Sequence, residues 1–303
     1  MKKSRTGVAI LVILFLVAGF VAVLVAVSLV SNEGIENTTL KRVFETGNKI
    51  GVINIEGTIM SSDETLKQLR KFAKNSSIKA ILIRINSPGG TVAPAQEIYR
   101  EIDKVKKKKP VVASMETVGA SAAYYIASST NNIVCSRGTI TGSIGVIMML
   151  PEIHKVIEKI GVDVNIIKAG KYKDLGTGVR PLTADEKAIL ENFAAEVHEQ
   201  FISDVAAGRK GKIDKDKLHE IADGRFFTGE KAKELGLVDT IGNFYDAAKI
   251  AAKLGGIKTE PVLVYPKKKW ESLFGLFTSS VAGSITKALE ETRAIEASPP
   301  AVR

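Results

Sequence analysis

A turn built from small residues, followed by a segment without charge, is the part of this sequence best suited to chemistry. Ser121 lies in this turn, flanked by Gly119-Ala120 and Ala122-Ala123, and residues 111–114 before it form a short β-prone run. A serine at a strand-to-helix turn exposes its hydroxyl beside helix N-terminal N–H groups, which favour negative charge. Acyl transfer needs such a nucleophile and such donors for its oxyanion. Ser121 is therefore a candidate nucleophile, and the alternative is a small-residue contact that lets the helix pack closely.

A second turn that could serve the same chemistry lies at residues 86–90, with the sequence Asn-Ser-Pro-Gly-Gly. Residues 78–85 before it are nearly all apolar, which is typical of a strand covered on both faces. Pro88 fixes its φ angle, while Gly89 and Gly90 allow a tight turn with exposed backbone N–H groups. Neighbouring strand ends in a layered α/β fold open on one crevice. This turn could therefore supply an oxyanion donor to Ser121, or it is a connection without a catalytic role.

Composition argues against several other kinds of site. The single cysteine, Cys135, lies in an apolar run, so no intrachain disulfide can form and a buried structural thiol is expected. The three histidines are scattered outside any zinc-binding pattern, and we expect neither a metal nor a cofactor. Residues 139–146 are rich in Gly, Ser and Thr but lack the Gly-Lys-Ser/Thr ending of a phosphate loop. The net charge of +10 comes without interleaved aromatic residues and does not indicate nucleic-acid binding.

Residues 7–30 carry no charge and are mostly Val, Leu, Ile, Ala and Phe. A helix of about 20 such residues spans the hydrocarbon core of a bilayer. Basic residues precede this stretch and acidic residues follow it, so the positive-inside rule places the N-terminus in the cytoplasm and the rest of the chain outside. A cleaved signal peptide is the alternative, but its apolar core is normally about 7–15 residues long. The length favours a retained single-pass anchor in contact with membrane lipid.

The remaining pattern divides the chain into segments. We predict a cytoplasmic basic end and anchor over 1–31, a polar linker over 32–48, an α/β domain over 49–258, and a basic and amphipathic C-terminal segment with a flexible tail over 259–303. Within the domain, predicted helices lie at 62–73, 93–107, 152–160, 183–208, 229–235 and 245–254. Predicted strands lie at 50–55, 78–85, 111–114, 133–135 and 162–168. Thr183 and Glu186 form a capping-box pattern at the start of the longest helix.

Five motifs in a fixed order resemble those of the signal peptide peptidase A family. The motifs are residues 86–90, Ser121 with 124–127, 141–146, 171–174 and 224–229. This family comprises membrane-anchored Ser/Lys serine proteases of the Clp protease/crotonase superfamily, and the resemblance covers about 49 to 254. It implies an α/β fold, a Clp protease/crotonase-like spiral of repeated β-β-α units, preceded by one N-terminal transmembrane helix. It also implies a serine endopeptidase that degrades remnant signal peptides and assembles as a ring-shaped homo-oligomer.

The resemblance also assigns roles to individual residues. Ser121 corresponds to the nucleophile, Lys173 rather than Lys171 to the general base, and Ser143 to the serine beside the lysine ammonium. The oxyanion donors would be the backbone N–H of Gly89 or Gly90 and that of Ala122. The family's usual Gly-Gly after the nucleophile is Ala122-Ala123 here. Alanine keeps the N–H, so activity should survive, but its Cβ atoms could narrow the substrate pocket.

The implied mechanism places demands on Lys173. A free lysine has a pKa of about 10.4 and is protonated at neutral pH. To accept the Ser121 proton, Lys173 must be buried enough to favour its neutral amine, and the Asp174 carboxylate should point away from it. A solvated loop lysine is the alternative, since lysines are rarely buried. The resemblance allows Ser121 and Lys173 of one site to come from neighbouring protomers. We expect an extended peptide substrate with small or apolar side chains at the cleavage point.

Two other functions remain open on the sequence. A crotonase-type acyl-CoA enzyme would share the fold and the glycine turns, but the anchor and the lack of an acidic pair in the pocket loops argue against it. A non-catalytic membrane scaffold would need neither Ser121 nor Lys173. Substitution of these two residues therefore separates all three readings.

Overall fold

A computed structural model describes residues 48–266 of the chain, which form one mixed α/β sheet with helices on both faces. The strands are β1 (Lys49–Glu56), β2 (Ile78–Ser87), β3 (Val111–Ala120), β4 (Asn132–Cys135), β5 (Ile140–Gly142), β6 (Phe226–Thr228), β7 (Thr240–Ile241) and β8 (Val262–Val264). The helices are α1 (Asp63–Lys74), α2 (Val92–Lys106), α3 (Ala122–Ser128), α4 (His154–Lys159), α5 (Ala184–Gly208), α6 (Lys215–Ile221), α7 (Gly229–Glu234) and α8 (Phe244–Leu254). The predicted membrane segment at 7–30 lies outside the described residues. Within 48–266, no helix combines the length and the apolar character needed to cross a membrane.

The sheet places the longest strands at its centre. Its order is β6-β5-β3-β2-β1-β8, with β4 joining β3 and β7 beside this path. Every pairing is parallel except that of β5 with β6. In β2, Ile81 and Ile83 pack into the core that includes α1, α2 and α3, whereas Leu82 packs against α8 on the other face. All three are fully buried, because successive strand residues point to opposite faces and both faces are covered.

Strand β3 pairs with one strand along its first half and with another at its end, and this arrangement positions the segments of the site. Its first half, Val112 to Met115, pairs with β4, and its last three residues pair with β5. The register sets Gly119 beside Ser87 on one side and beside Thr141 on the other. Three segments that are far apart in the sequence, around residues 87, 120 and 142, therefore end side by side.

Most predicted elements are confirmed. The predicted strands at 50–55, 78–85 and 133–135 correspond to β1, β2 and β4, and the five longest predicted helices correspond to α1, α2, α4, α5 and α8. The capping box is present: the Thr183 hydroxyl accepts the Glu186 N–H, and the Glu186 carboxylate accepts the Thr183 N–H. Strand β3 runs six residues beyond its predicted end at 114 because β5 pairs with the extension. The predicted domain boundary at 258 falls between α8 and β8, which pairs with β1.

The predicted strand at 162–168 is wrong. Val162, Val164 and Ile166 alternate with polar or small residues, as in a half-buried strand, but all three are exposed and residues 162–168 form no strand. They lie in the arm, which we define as residues 145–183 before α5. The alternation gives only a local preference for a strand, and no described strand lies beside these residues to pair with them.

Candidate active site

Ser121 occupies a strained turn between β3 and α3. Its backbone has φ 53° and ψ −125°, a conformation that costs a non-glycine residue on the order of 1–3 kcal/mol. The Ser121 N–H donates to the Gly142 carbonyl at 2.9 Å, and the Ser121 carbonyl accepts the Tyr125 N–H at 2.9 Å. The charge-free segment predicted to pack inside the protein is α3, and every residue of this helix is buried. The turn is therefore held by β5 on one side and by a buried helix on the other.

Gly89 and Gly90 pass directly beside Ser121. Gly89 has φ 115°, and a Cβ at this position would lie 2.8 Å from the Ser121 Cβ and 3.1 Å from the Ala122 nitrogen. A Cβ on Gly90 would lie 2.1 Å from the Ile59 carbonyl oxygen. Neither position has room for a side chain, so close approach requires both glycines, and the positive φ of Gly89 is a second reason at that position.

The backbone donors of this turn differ in their partners. The Gly89 N–H donates to the Ser87 hydroxyl at 3.2 Å. The N–H groups of Gly90 and Ala122 have no acceptor among residues 48–266, and both residues line the same cavity as Ser121. Of the two alternatives left open at this turn, the geometry favours Gly90 over Gly89 as an oxyanion donor.

The cavity at Ser121 is small and mainly apolar, with a volume of about 100 Å³. Its lining residues are Gly90, Val92, Ala95, Ser121, Ala122, Tyr125, Gly145, Val146, Ile147, Val197 and Phe201. Phe201 stacks on Tyr125 with the ring centroids 4.5 Å apart. Burial and the hydrogen bond to Asp204 hold the pKa of Tyr125 well above its usual range, so this hydroxyl is no base at neutral pH. Ala123 is fully buried but does not line the cavity, so only the Ala122 Cβ can narrow it.

Most of these lining residues are not apparent from the sequence. Val197 and Phe201 lie four residues apart on α5, which is a helical spacing that marks an apolar face. The pattern could show that this face is buried, but it could not show that the face lies over Ser121.

Ser143 lies close to the nucleophile turn through the backbone. It follows Gly142, whose carbonyl accepts the Ser121 N–H, and its own N–H donates to the Arg225 carbonyl at 2.8 Å. Ser143 also has a positive φ, 51°, and is half-buried. The fold therefore brings Ser143 beside the turn that carries Ser121.

Lys173 is not brought into the cavity of its own chain. It lies on the arm, its side chain is exposed, and it is not among the residues that line the Ser121 cavity. The expectation of a buried Lys173 is thus not met within the single chain. The neighbouring Lys171 is engaged elsewhere, over the Tyr172 ring and 3.2 Å from Asp185. The Asp174 carboxylate accepts hydrogen bonds from Arg180 and Lys168.

The histidine and cysteine side chains of the domain lie outside this site. No group of three His, Cys, Asp or Glu side chains within residues 48–266 could hold a metal ion. His198 on α5 has Nε2 3.3 Å from the Ile144 carbonyl, and it does not line the cavity. Cys135 is fully buried, as predicted.

The fold and the site together define a class of enzyme. A strained serine at a strand-to-helix turn, with two unpaired N–H groups over a small apolar cavity on a mixed α/β sheet, is the arrangement of a serine hydrolase.

Comparison with known proteins gives the family. The sequence model of Peptidase family S49 matches residues 103–258, and that of Clp protease matches residues 38–137. The chain belongs to Peptidase family S49 and is a serine peptidase, with a mixed α/β fold consistent with the Clp protease/crotonase class.

Three relatives illustrate the similarity. The putative protease slr0021 of Synechocystis sp. is 43% identical over 219 residues, which cover 72% of this chain and 78% of that protein. The putative protease MJ0651 of Methanocaldococcus jannaschii is 38% identical over 203 residues, which cover 67% of this chain and 65% of that protein. The putative signal peptide peptidase SppA of Enterococcus faecium is 31% identical over 249 residues, which cover 78% of this chain and 71% of that protein.

Proposed function

We propose that this chain is a membrane-anchored serine endopeptidase in which Ser121 is the nucleophile and Lys173 the general base. Its substrates would be remnant signal peptides, an assignment supported by the name of the Enterococcus relative, a putative signal peptide peptidase. The observation that carries the proposal is the juxtaposition of Ser121 with the free N–H groups of Gly90 and Ala122 at one cavity.

The mechanism follows from these positions. The Ser121 Oγ attacks the scissile carbonyl carbon, and its proton passes to the neutral Lys173 amine, which then protonates the leaving amine. The oxyanion accepts hydrogen bonds from Gly90 and Ala122; loss of one such donor typically costs about 10²–10³ in kcat. Water, activated by the same amine, then hydrolyses the acyl-enzyme on Ser121. The Ser143 hydroxyl would orient the amine.

The neutral amine requires a desolvated lysine. Lowering its pKa by roughly 2–3 units costs about 3–4 kcal/mol at 1.36 kcal/mol per unit. Since Lys173 is exposed in the single chain, assembly would have to supply this burial. The arm exposes large apolar side chains, including Ile147, Met149 and Ile167 at 82%, 82% and 100%, and contiguous exposed apolar surface marks interaction sites. We infer that Lys173 enters the Ser121 site of a neighbouring protomer in a ring-shaped homo-oligomer.

The volume of the cavity also limits the size of the substrate side chain that it can accept. Pockets for cofactors and other drug-sized ligands measure roughly 300–1,000 Å³, whereas this one measures about 100 Å³. Its size and apolar walls fit one small apolar side chain of an extended peptide.

The placement of the domain is part of the same proposal. Residues 7–30 would anchor the chain in membrane lipid, with the N-terminus cytoplasmic and the domain at 49–258 extracytoplasmic. A spiral of repeated β-β-α units belongs to the same proposal, and it is supported by the chain order β4, β5, α4.

The test uses the full-length protein in detergent micelles and a quenched fluorescent peptide with alanine at the cleavage point. Ser121→Ala and Lys173→Ala should each lower kcat by at least about 10³-fold, with thermal unfolding unchanged. Lys171→Ala is the matched control and should stay near wild type, because this lysine pairs with Asp185 on the surface. Wild-type activity in Ser121→Ala would refute the proposal, and thioester hydrolysis that survives this substitution would favour the acyl-CoA alternative.

A mixing experiment separates the two sources of the lysine. If Ser121 and Lys173 of one site belong to different protomers, co-assembly of the two inactive variants regenerates some intact sites. Recovered activity after mixing would support the shared site. No recovery in verified mixed oligomers would place both residues in one chain.

A further inference from the structure

The arm that carries Lys173 has almost no buried residues. From residue 145 to residue 183 the only buried residue is Asp174, which is 6% exposed. The next buried residue is Glu186, in the first turn of α5, which is 2% exposed. Both are carboxylates, which are almost never fully buried without a partner. Apolar packing within the single chain therefore does not hold the loop around Lys173.

A chain of ion pairs holds it instead. Lys168 and Arg180 both donate to the Asp174 carboxylate, Arg180 through its Nε at 2.8 Å. The two terminal nitrogens of Arg180 donate to the two oxygens of Glu186 at 2.8 and 2.6 Å. Glu186 in turn accepts the Thr183 N–H at 2.9 Å as part of the capping box. Asp174, and with it the backbone beside Lys173, is thus connected to the start of α5.

The geometry of this network is directional. Arg180 presents its planar guanidinium to two carboxylates at once, and such fork contacts fix orientation as well as distance. Every carboxylate oxygen of Asp174 and Glu186 has a donor, which is the condition under which buried ion pairs are tolerated. The helix that anchors the network also carries Val197 and Phe201 in the wall of the Ser121 cavity. One rigid element therefore supports a cavity wall and, through Asp174, the loop of the base.

The network also neutralises the negative charge of Asp174, which is adjacent to the proposed base Lys173. Lys168 and Arg180 carry two positive charges, and Asp174 and Glu186 carry two negative ones, so the group is neutral. A free carboxylate adjacent to Lys173 would favour the protonated amine. Because Lys168 and Arg180 already donate to its two oxygens, the Asp174 carboxylate stabilises the loop and does not attract the proton of Lys173.

We propose that Asp174 is a positioning residue for Lys173, acting through Arg180 and Glu186. This inference rests on the proposed role of Lys173 as general base and extends it to the residues that hold that base. Asp174 touches neither substrate nor Ser121 in this role. Its effect is to keep the amine at one place relative to the site that it enters.

The decisive comparison is Asp174→Asn against Asp185→Asn in the full-length protein. Asp185 also pairs with a lysine of the arm, Lys171 at 3.2 Å, but both partners are exposed. A misplacement of about 1 Å in a catalytic group can cost about 10²-fold. We expect Asp174→Asn to lower kcat by about 10- to 100-fold with KM nearly unchanged, and Asp185→Asn to leave both nearly unchanged.

Two further measurements distinguish positioning from general stability. In a Lys173→Ala background, Asp174→Asn should cause no further loss, because the group that it positions is absent. Arg180→Lys keeps the charge but loses the fork, and it should lower kcat to an intermediate degree while thermal unfolding stays close to wild type. If Asp174→Asn does not fold, Arg180→Lys decides the question in its place.

The outcomes separate this inference from the proposed function. Equal activity of Asp174→Asn and Asp185→Asn, with Lys173→Ala inactive, would overturn the positioning role and leave the dyad intact. A further loss of residual activity in the double variant would also overturn it, since the effect would then be structural. Wild-type activity in Lys173→Ala would overturn the proposed function itself.

Discussion

Gly89 lies against Ser121 so closely that a Cβ at position 89 would be 2.8 Å from the Ser121 Cβ. This contact brings together the two turns that the sequence indicates as candidate catalytic segments, residues 86–90 and the turn at Ser121. The loop after β2 covers the serine after β3, and the absence of a side chain on the loop is what allows the approach. The Gly90 N–H and the Ala122 N–H, which have no acceptor among the described residues, belong to these two turns.

Gly89→Ala should therefore damage the site more than it damages the fold. The new methyl group would displace the turn or Ser121, and we expect a loss of at least about 100-fold in kcat/KM. Gly57→Ala is the matched control, because Gly57 also has positive φ, 66°, but its Cβ would meet nothing within 4 Å. It should cost about 1–2 kcal/mol of stability and little activity. Peptide hydrolysis and thermal unfolding of both variants check this, and an active Gly89→Ala enzyme would contradict it.

The alanines after the nucleophile should have different effects on substrate choice. Ala122 lines the cavity, whereas Ala123 is equally buried but faces elsewhere. Ala122→Gly should raise cleavage of a peptide with leucine at the cleavage point relative to one with alanine, by a few-fold or more. Ala123→Gly should leave this ratio unchanged. Both should lower stability by about 0.5–1 kcal/mol, the cost of glycine in a helix. An equal shift of the ratio in both variants would show that the Ala122 Cβ does not limit the cavity.

Cys135 should take no part in catalysis. Burial raises the pKa of its thiol to about 11, and its side chain is fully buried on β4. The thiolate is the reactive form, so a disulfide reagent should react with the native protein at least about 100-fold more slowly than with the unfolded chain. Peptide hydrolysis should persist in that reagent and be abolished by a fluorophosphonate. Stoichiometric loss of activity on labelling of Cys135 would contradict this.

The arm should loosen in acid before the sheet does. The hydrogen bond from Arg180, followed by that from Lys168, holds the pKa of Asp174 well below its usual range. Arg180, followed by the Thr183 N–H, lowers the pKa of Glu186 to about 2. Because both folded-state values lie below the ordinary values near 4, the stabilisation is complete above about pH 5 and is lost as the pH falls toward about 2.

Hydrogen exchange, corrected for intrinsic rates, measures this loosening. Amides of residues 168–186 should gain exchange between about pH 4 and about pH 2, while those of β2 remain protected. In Arg180→Gln the same amides should already exchange faster near neutral pH. Acid exchange that rises together in β2 and in residues 168–186 would mean that the network does not act as a separate unit.

The sequence by itself determined the alternation of strands and helices and the order of the candidate site segments. A nearly all-apolar run such as 78–85 is typical of a strand covered on both faces, and the Thr183–Glu186 capping box marked the start of α5. These features depend on contacts within one segment, so a local pattern is sufficient to predict them. Ser121 and the glycine turn at residues 86–90 could be named as candidates in the same way, because the chemistry of a turn is local.

Only the tertiary structure decided which of these segments meet. The extension of β3 to Ala120, the choice of Gly90 over Gly89 as a free donor, and the failure of 162–168 to form a strand all depend on a partner that is distant in the chain. The buried carboxylate of Asp174 likewise depends on donors outside its immediate neighbours in sequence, Lys168 and Arg180. Whether a segment forms a strand, whether an N–H group is free and whether a carboxylate is buried all depend on the group that lies opposite. The pattern of a single segment carries no information about that group.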